Sequence, residues 1–252
     1  MIKMTQPFAL VFDLETTGLP KGVSIYELAN YDSCRIVQIC WTIVDLTEFT
    51  IVEDVKSYFI KPESFTISDD MFCVKYGMNH SYLTDRGVPL QTVIRELRQD
   101  ILKWQPSFLM GHNVEFDVLG LMSEVYRLYK EVNRPYELFR NKDGSYPRLF
   151  CTYQLCSLLR ENEISPYIHM KTLKLGYLYK VLCKKDLENA HTADADVLAC
   201  IEIGRNLSEY VGDIICKLDK NYDKGLLFAT QNKREWLQKL TLSNNYGNQE
   251  LK

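Results

Sequence analysis

The sequence predicts an α/β fold, a mixed sheet flanked by helices. Three features lead there. Phe8 to Phe12 is a short continuous apolar run of the kind that forms a strand covered on both faces. Two further segments rich in β-branched and aromatic residues follow before any helical pattern begins. Strand and helix signals then alternate, which suits a sheet with helices packed on it.

Taken in order, the second strand is expected over Ile36 to Val44 and the third over Val55 to Ile60. Pro20 to Ser33 reads as a loop inserted between the first two strands. Leu90, Val93, Ile94, Leu97, Ile101 and Trp104 recur at helical spacing, so a helix is expected from about Pro89 to Trp104, with proline suited to its start. Ser107 to Met110 is the next strand, ending at Gly111. Leu119, Met122, Val125 and Tyr129 mark a second helix, beginning near Phe116. A brief strand at residues 149–151 leads to Thr152, a candidate cap for a helix reaching Leu159. Another helix is expected from Leu173 to Leu182. The last clear one carries Val197, Cys200, Ile201, Gly204 and Leu207 on one face. Beyond Val211 the pattern weakens, and the end of the chain is polar. Residues 1–211 therefore read as one domain and residues 212–252 as an extension, partly helical with a frayed tail.

A chain of 252 residues, 46% apolar and 25% charged, can bury a substantial core. Its formal charge is −3, from 30 basic and 33 acidic residues. That balance argues against a sequence-independent nucleic-acid binder, which is normally basic, unless several of the acids share a site with bound cations. The eight cysteines are scattered without a Cys-x-x-Cys pair and lie mostly in apolar runs, so they are expected to be buried free thiols in a reducing compartment. Phe8 to Phe12 is too short for a signal peptide core, and no stretch approaches the roughly 20 apolar residues of a membrane helix. A soluble intracellular protein, in cytoplasm or nucleus, is expected, with no membrane partner.

Three short segments concentrate polar chemistry. Val11-Phe-Asp-Leu-Glu-Thr-Thr-Gly18 ends a buried strand with Asp13 and Glu15, and the two-residue period of a strand puts both on one face. Two carboxylates so close raise each other's pKa unless a cation lies between them, and oxygen ligands suit Mg²⁺ or Mn²⁺. Gly111-His-Asn-Val-Glu-Phe-Asp117 leaves a strand and opens a helix at Asp117. His191-Thr-Ala-Asp-Ala-Asp196 opens the last helix; five residues apart, His191 and Asp196 stand about 140° apart on an ideal helix. They come together only if His191 precedes the helix on a looser lead-in. Taken singly, these are also a solvated turn, a helix N-terminal acid, a structural histidine and a capping Asp194.

Taken together, in this order and context, the three segments resemble the motifs of the DEDDh (DnaQ-like) 3′→5′ exonucleases, a branch of the ribonuclease H-like fold. The family's Asp-x-Glu-Thr-(Thr)-Gly stands here as Asp13 to Gly18, its His-Asn-x-x-Phe-Asp as His112 to Asp117, and its His-x-(Ala)-x-x-Asp as His191 to Asp196. Connecting stretches such as Leu83 to Leu97 and Met170 to Leu182 look like the family's too, so the resemblance covers roughly Phe8 to Leu207. The sister branch has tyrosine four residues before the last Asp; Thr192 stands there, which indicates the histidine branch. The longer loop at 20–33, the tail beyond Val211 and the segment before Cys151-Thr152 depart from the usual pattern.

The resemblance implies a phosphodiester hydrolase with two divalent ions, Mg²⁺ or Mn²⁺, about 3.5–4 Å apart. Asp13 would bridge both ions, Glu15 and Asp196 would hold the one that activates water, and Asp117 would position the other. His191 would be the general base, since imidazole exchanges protons near neutral pH. Products would be nucleoside 5′-monophosphates. Thr16, Thr17 and Gly18 would meet the terminal 3′-hydroxyl, Leu19 would wedge beside the terminal bases, and His112, Asn113 and Phe116 would line the pocket. For Thr17 a turn hydroxyl, and for Leu19 and Phe116 ordinary packing, stand as the alternatives. The implied partner is nucleic acid with a free 3′ end. Single-stranded DNA is favoured, in proofreading or repair, and RNA is the alternative. Lys171, Lys174 and Arg148 are candidate phosphate contacts, and Tyr26 and Tyr31 candidate base-stacking residues. A catalytically inactive binding module is a third reading; the four acids and the histidine, of which it should have lost at least one, are all present. Gln238 to Leu242 faintly resembles a sliding-clamp peptide without its following aromatic, the one hint of a polymerase or clamp partner.

Overall fold

A computed structural model describes residues 8–218, Pro166 aside, and the side chains of the last helix as far as residue 208. The clamp-like segment and residues 219–252 of the extension therefore lie outside the described residues.

Among the described residues, the sheet is six-stranded. Strand β1 (Phe8–Thr16) pairs antiparallel with β2 (Ile36–Asp45), and the two short strands β3 (Thr50–Ile51) and β4 (Lys56–Phe59) pair in turn with β2. Helices α1 (His80–Arg86) and α2 (Leu90–Trp104) precede β5 (Phe108–Gly111), which is parallel to β1. Helices α3 (Val114–Tyr129) and α4 (Arg134–Phe139) lead to β6 (Arg148–Cys151), parallel to β5, followed by α5 (Thr152–Glu161), α6 (Leu175–Cys183) and α7 (Ala193–Leu218). The strand order β3-β2-β1-β5-β6 puts β1 at the centre.

Because β1 is central, alternate residues enter two different cores. Leu10, Phe12 and Leu14 pack with Leu97 of α2 and Val118 and Leu121 of α3. Ala9 and Val11 pack with Leu155 of α5, Leu178 of α6 and Val197 and Cys200 of α7. Covering both faces requires a strand segment that is apolar at every position, and residues 8–12 of β1 are. Where the apolar run gives out, the strand continues through Asp13, Leu14, Glu15 and Thr16, so both acids are held by sheet hydrogen bonding.

The mixed sheet flanked by helices agrees with the sequence reading, and the differences are local. Strand β1 runs one residue past Glu15, where the sequence reading ended it, because β2 pairs with it as far as Thr16. Two residues are not caps. Cys151 holds the N-cap position of α5 with Thr152 inside the helix, and Asp194 lies in the first turn of α7. Strand β3, helices α1 and α4 and the 3₁₀ turns Leu28–Tyr31, Phe72–Tyr76 and Tyr167–His169 are too short for a periodic signal. The seven cysteines with described side chains are all free thiols, and six of them are buried. No described helix is long and apolar enough to cross a membrane.

Candidate metal centre

The site forms where β1 ends beneath the first turns of α3 and α7. Asp13 and Glu15 point to the face that α7 covers, with Leu14 between them turned into the opposite core. Chain turning at Gly111 brings α3 against β1: a side chain at Gly111 would press on the Phe12 carbonyl at 3.1 Å and on Val114. In this way Asp117, 2% exposed, comes close enough for its Oδ1 to accept the Leu14 N–H at 3.1 Å.

Gln38 brings in the third element. It lies opposite Glu15 on β2, and its Oε1 accepts the Ala193 N–H at 3.2 Å while its Nε2 lies 3.4 Å from Asp194 Oδ1. The start of α7 is thereby tied to the strand beside Glu15. Its first turn carries Asp196, and His191 sits on the lead-in with φ of 69°. Off the helix, His191 escapes the angular separation an ideal helix would impose. Ligand-capable atoms of Glu15, His191 and Asp196 all lie within 4.8 Å of one another.

Electrostatically the cluster is one-sided. Burial, then Asp117, Asp196 and Glu15, push the Asp13 carboxyl well above its ordinary value. Burial and then Asp196 raise Glu15 to about 8. Burial raises Asp196 to about 6 against the opposing effect of a hydrogen bond from the His191 main chain. Asp117 is raised too, by burial first, despite donation from the Leu14 N–H. No described lysine or arginine forms an ion pair with any of the four. Asp196 Oδ1 is moreover buried without a hydrogen-bond partner. Carboxylate oxygens with an imidazole at their edge, an orphaned oxygen and no lysine or arginine paired with them among the described residues are a donor set that fits hard divalent cations.

The other expected site residues divide into braces and exposed groups. Thr17 is a turn brace: its N–H donates to the Arg35 carbonyl, its hydroxyl donates to the Ser33 carbonyl, and it accepts the Arg35 N–H. Thr16 Oγ1 bonds to the Gly18 carbonyl, and a side chain on Gly18 would collide with the Ser33 carbonyl at 2.9 Å. Leu19 is 75% exposed, so it is not a packing residue. His112 places Nδ1 2.9 Å from Thr152 Oγ1, and burial lowers its pKa to about 4, so it stays neutral. Asn113 is exposed in the left-handed conformation ahead of α3, and Phe116 is half-buried against the core. Tyr31 is 1% exposed, while Tyr26 bonds Tyr136 and stacks edge-on with Tyr126, so both tyrosines of the inserted loop are committed to packing. Lys171, Lys174 and Arg148 are on the surface.

Several contributors went unread in the sequence. Gln38 had a signal, as the lone amide in a largely apolar strand. Thr152 stood beside the β6 end. Phe72 and Tyr76, whose rings flank His191, had no periodicity to reveal them.

No family model matches the chain, and no curated protein matches it in sequence. Solved structures do match. Exonuclease I of E. coli in complex with a dT13 oligonucleotide superposes with a TM-score of 0.63 and 18% identity, over 89% of this chain and 46% of its own. A moderately thermophilic exonuclease I from Methylocaldum szegediense gives a TM-score of 0.60 and 20% identity over 92% and 45%. The zinc-bound E. coli exonuclease I–ssDNA complex gives 0.63 and 19% over 85% and 43%. The chain thus spans less than half the length of these proteins. At such identities the likeness is one of fold: the chain has the ribonuclease H-like architecture of the exonuclease domain of exonuclease I, a DEDDh (DnaQ-like) exonuclease.

Proposed function

We propose that this protein is a metal-dependent 3′→5′ exonuclease that releases nucleoside 5′-monophosphates from a free 3′ end, with single-stranded DNA as the favoured substrate. One observation carries the reading. Asp13, Glu15, Asp117 and Asp196 crowd together with His191 at the end of β1, and no described cation of the protein's own balances them.

Asp13, Glu15, Asp117 and Asp196 would hold two divalent cations, Mg²⁺ or Mn²⁺, which when bound supply positive charge to the transition-state oxygens and acidify a water. His191 takes the proton of the attacking water, and its place off the helix brings the imidazole beside Glu15 and Asp196. Thr17 braces the turn so that the main chain at Thr16 and Gly18 meets the 3′-hydroxyl, with Leu19 beside the terminal base. Neutral His112, with Asn113 and Phe116, walls the nucleotide pocket. DNA is preferred over RNA because the structurally similar exonuclease I was solved with DNA oligonucleotides.

The test is nucleotide release from 3′- and 5′-labelled single-stranded DNA, duplex DNA and RNA, each with Mg²⁺, Mn²⁺ or chelator. The expected result is metal-dependent mononucleotide release beginning at the 3′ end of single-stranded DNA. Faster release from RNA would reassign the substrate. No release from any substrate with either metal would leave a binding module in place of an enzyme.

A further inference from the structure

Phe72 and Tyr76 have no part in the hydrolysis described above. They sit on the 3₁₀ turn Phe72–Tyr76, whose Cys73 enters a small core with Val37, Ile67, Met78 and Leu83. Gly77, at φ of 83°, closes the turn by donating its N–H to the Cys73 and Val74 carbonyls. With Cys73 drawn inward, the turn holds both rings outward, 46% and 36% exposed. Their centroids lie 5.1 Å apart, and both meet His191: Phe72 edge-on at 5.6 Å and 86°, Tyr76 at 5.0 Å and 47°. Edge-to-face contact is the geometry aromatic rings prefer. Lying ahead of α7, His191 gets its orientation from no helical neighbour, so contact with these two rings restricts where its imidazole can turn.

We infer that Phe72 and Tyr76 are positioning residues: a two-ring clamp that confines the His191 imidazole to the arc facing Glu15 and Asp196. The inference rests on the proposed function for its catalytic meaning. A base held within the productive arc reacts as an intramolecular partner, and displacement by about 1 Å costs up to ~100-fold. A competing role for the same rings is stacking on nucleic-acid bases, which predicts a different kinetic signature.

The full chain carrying Phe72→Ala and Tyr76→Ala tests this. The expected loss is about 10- to 100-fold in kcat, with KM for a short single-stranded DNA little changed and thermal stability close to that of the parent. Tyr76→Phe restores the rate, because the ring and not the hydroxyl makes the contact. Should the double variant fold poorly, Tyr76→Leu alone keeps an apolar surface and still removes the ring. An independent readout is NMR relaxation of the labelled His191 imidazole, one of only four histidines to assign; its motion should increase in the double variant. A raised KM with kcat unchanged, or imidazole motion unchanged in the variant, overturns the clamp. If the parent chain releases no nucleotide yet its imidazole loosens on ring removal, the clamp stands and the proposed function falls.

Discussion

Asp117 and Glu124 stand about two turns apart on α3, both 2% exposed, and they are built into opposite arrangements. Glu124 is matched from within. The Arg35 guanidinium grips it through two nitrogens, with the Nη2 contact at 3.2 Å, while Arg127 lies alongside at 3.7 Å and also reaches Asp32. Asp117 accepts main-chain N–H groups, that of Leu14 among them, and otherwise looks at other acids. Asp100 follows the first pattern, held by the Trp41 indole and Lys56. The difference teaches how to tell a fold-holding charge from a site. A buried carboxylate with an internal cation is satisfied by folding alone, whereas one facing only like charges leaves electrostatic work for something the chain does not contain.

The largest test breaks the unmatched side. Asp13→Asn should cut nucleotide release on the order of 10³-fold or more, the scale lost when a central member of a catalytic set is removed. It should leave the metal-free protein at least as stable as the parent, because one repelling charge is gone. A lower unfolding midpoint together with retained activity would reverse the distinction drawn between the two clusters. Next, His191→Ala should lose about 10²–10⁴-fold in kcat, the usual range for a general base. Calorimetric titration should show Mn²⁺ binding preserved, since the acids remain.

The matched side should behave inversely. Glu124→Ala leaves the Arg35 charge buried and alone, and about 3–5 kcal/mol of stability should disappear in urea unfolding. Replacing both partners, with Arg35→Met and Glu124→Leu, should recover most of it. The smallest effect concerns pH. Glu15, at about 8, and Asp196, at about 6, keep protons in the folded chain that the unfolded chain has already released. Folded-state pKa values raised above the unfolded ones mean stability falls as pH rises from about 4 to about 8. In chelator the melting temperature should therefore drop between pH 5 and pH 8, and Mn²⁺ should narrow the drop by competing with those protons. A flat profile in chelator would show that the carboxylates ionise freely.

Much of this architecture was readable beforehand, for reasons that differ by element. Strand β1 declared itself because a strand covered on both faces must be apolar throughout, and α2 because its stripe repeats over fifteen residues. Asp13 and Glu15 were legible as a pair, since the strand period alone puts them on one side. Thr152 was misread as a cap because capping preference names residue types without seeing that Gly111 and His112 would compete for the hydroxyl. Tyr26 and Tyr31 offered themselves for base stacking only while their packing partners, far away in sequence, were unknown.

The sequence by itself determined where the clustered acids and histidines stand and which short stretch each belongs to, because side-chain type and local period are written residue by residue. The convergence of Glu15, His191 and Asp196 was decided by tertiary structure: it depends on Gln38 reaching across from β2 to the first turn of α7. So was the absence of a balancing lysine or arginine from that cluster among the described residues, when Arg35, a few residues along the chain from Gln38, turns instead toward Glu124. Coulomb energy depends on distance through space, and distance along the chain does not report it.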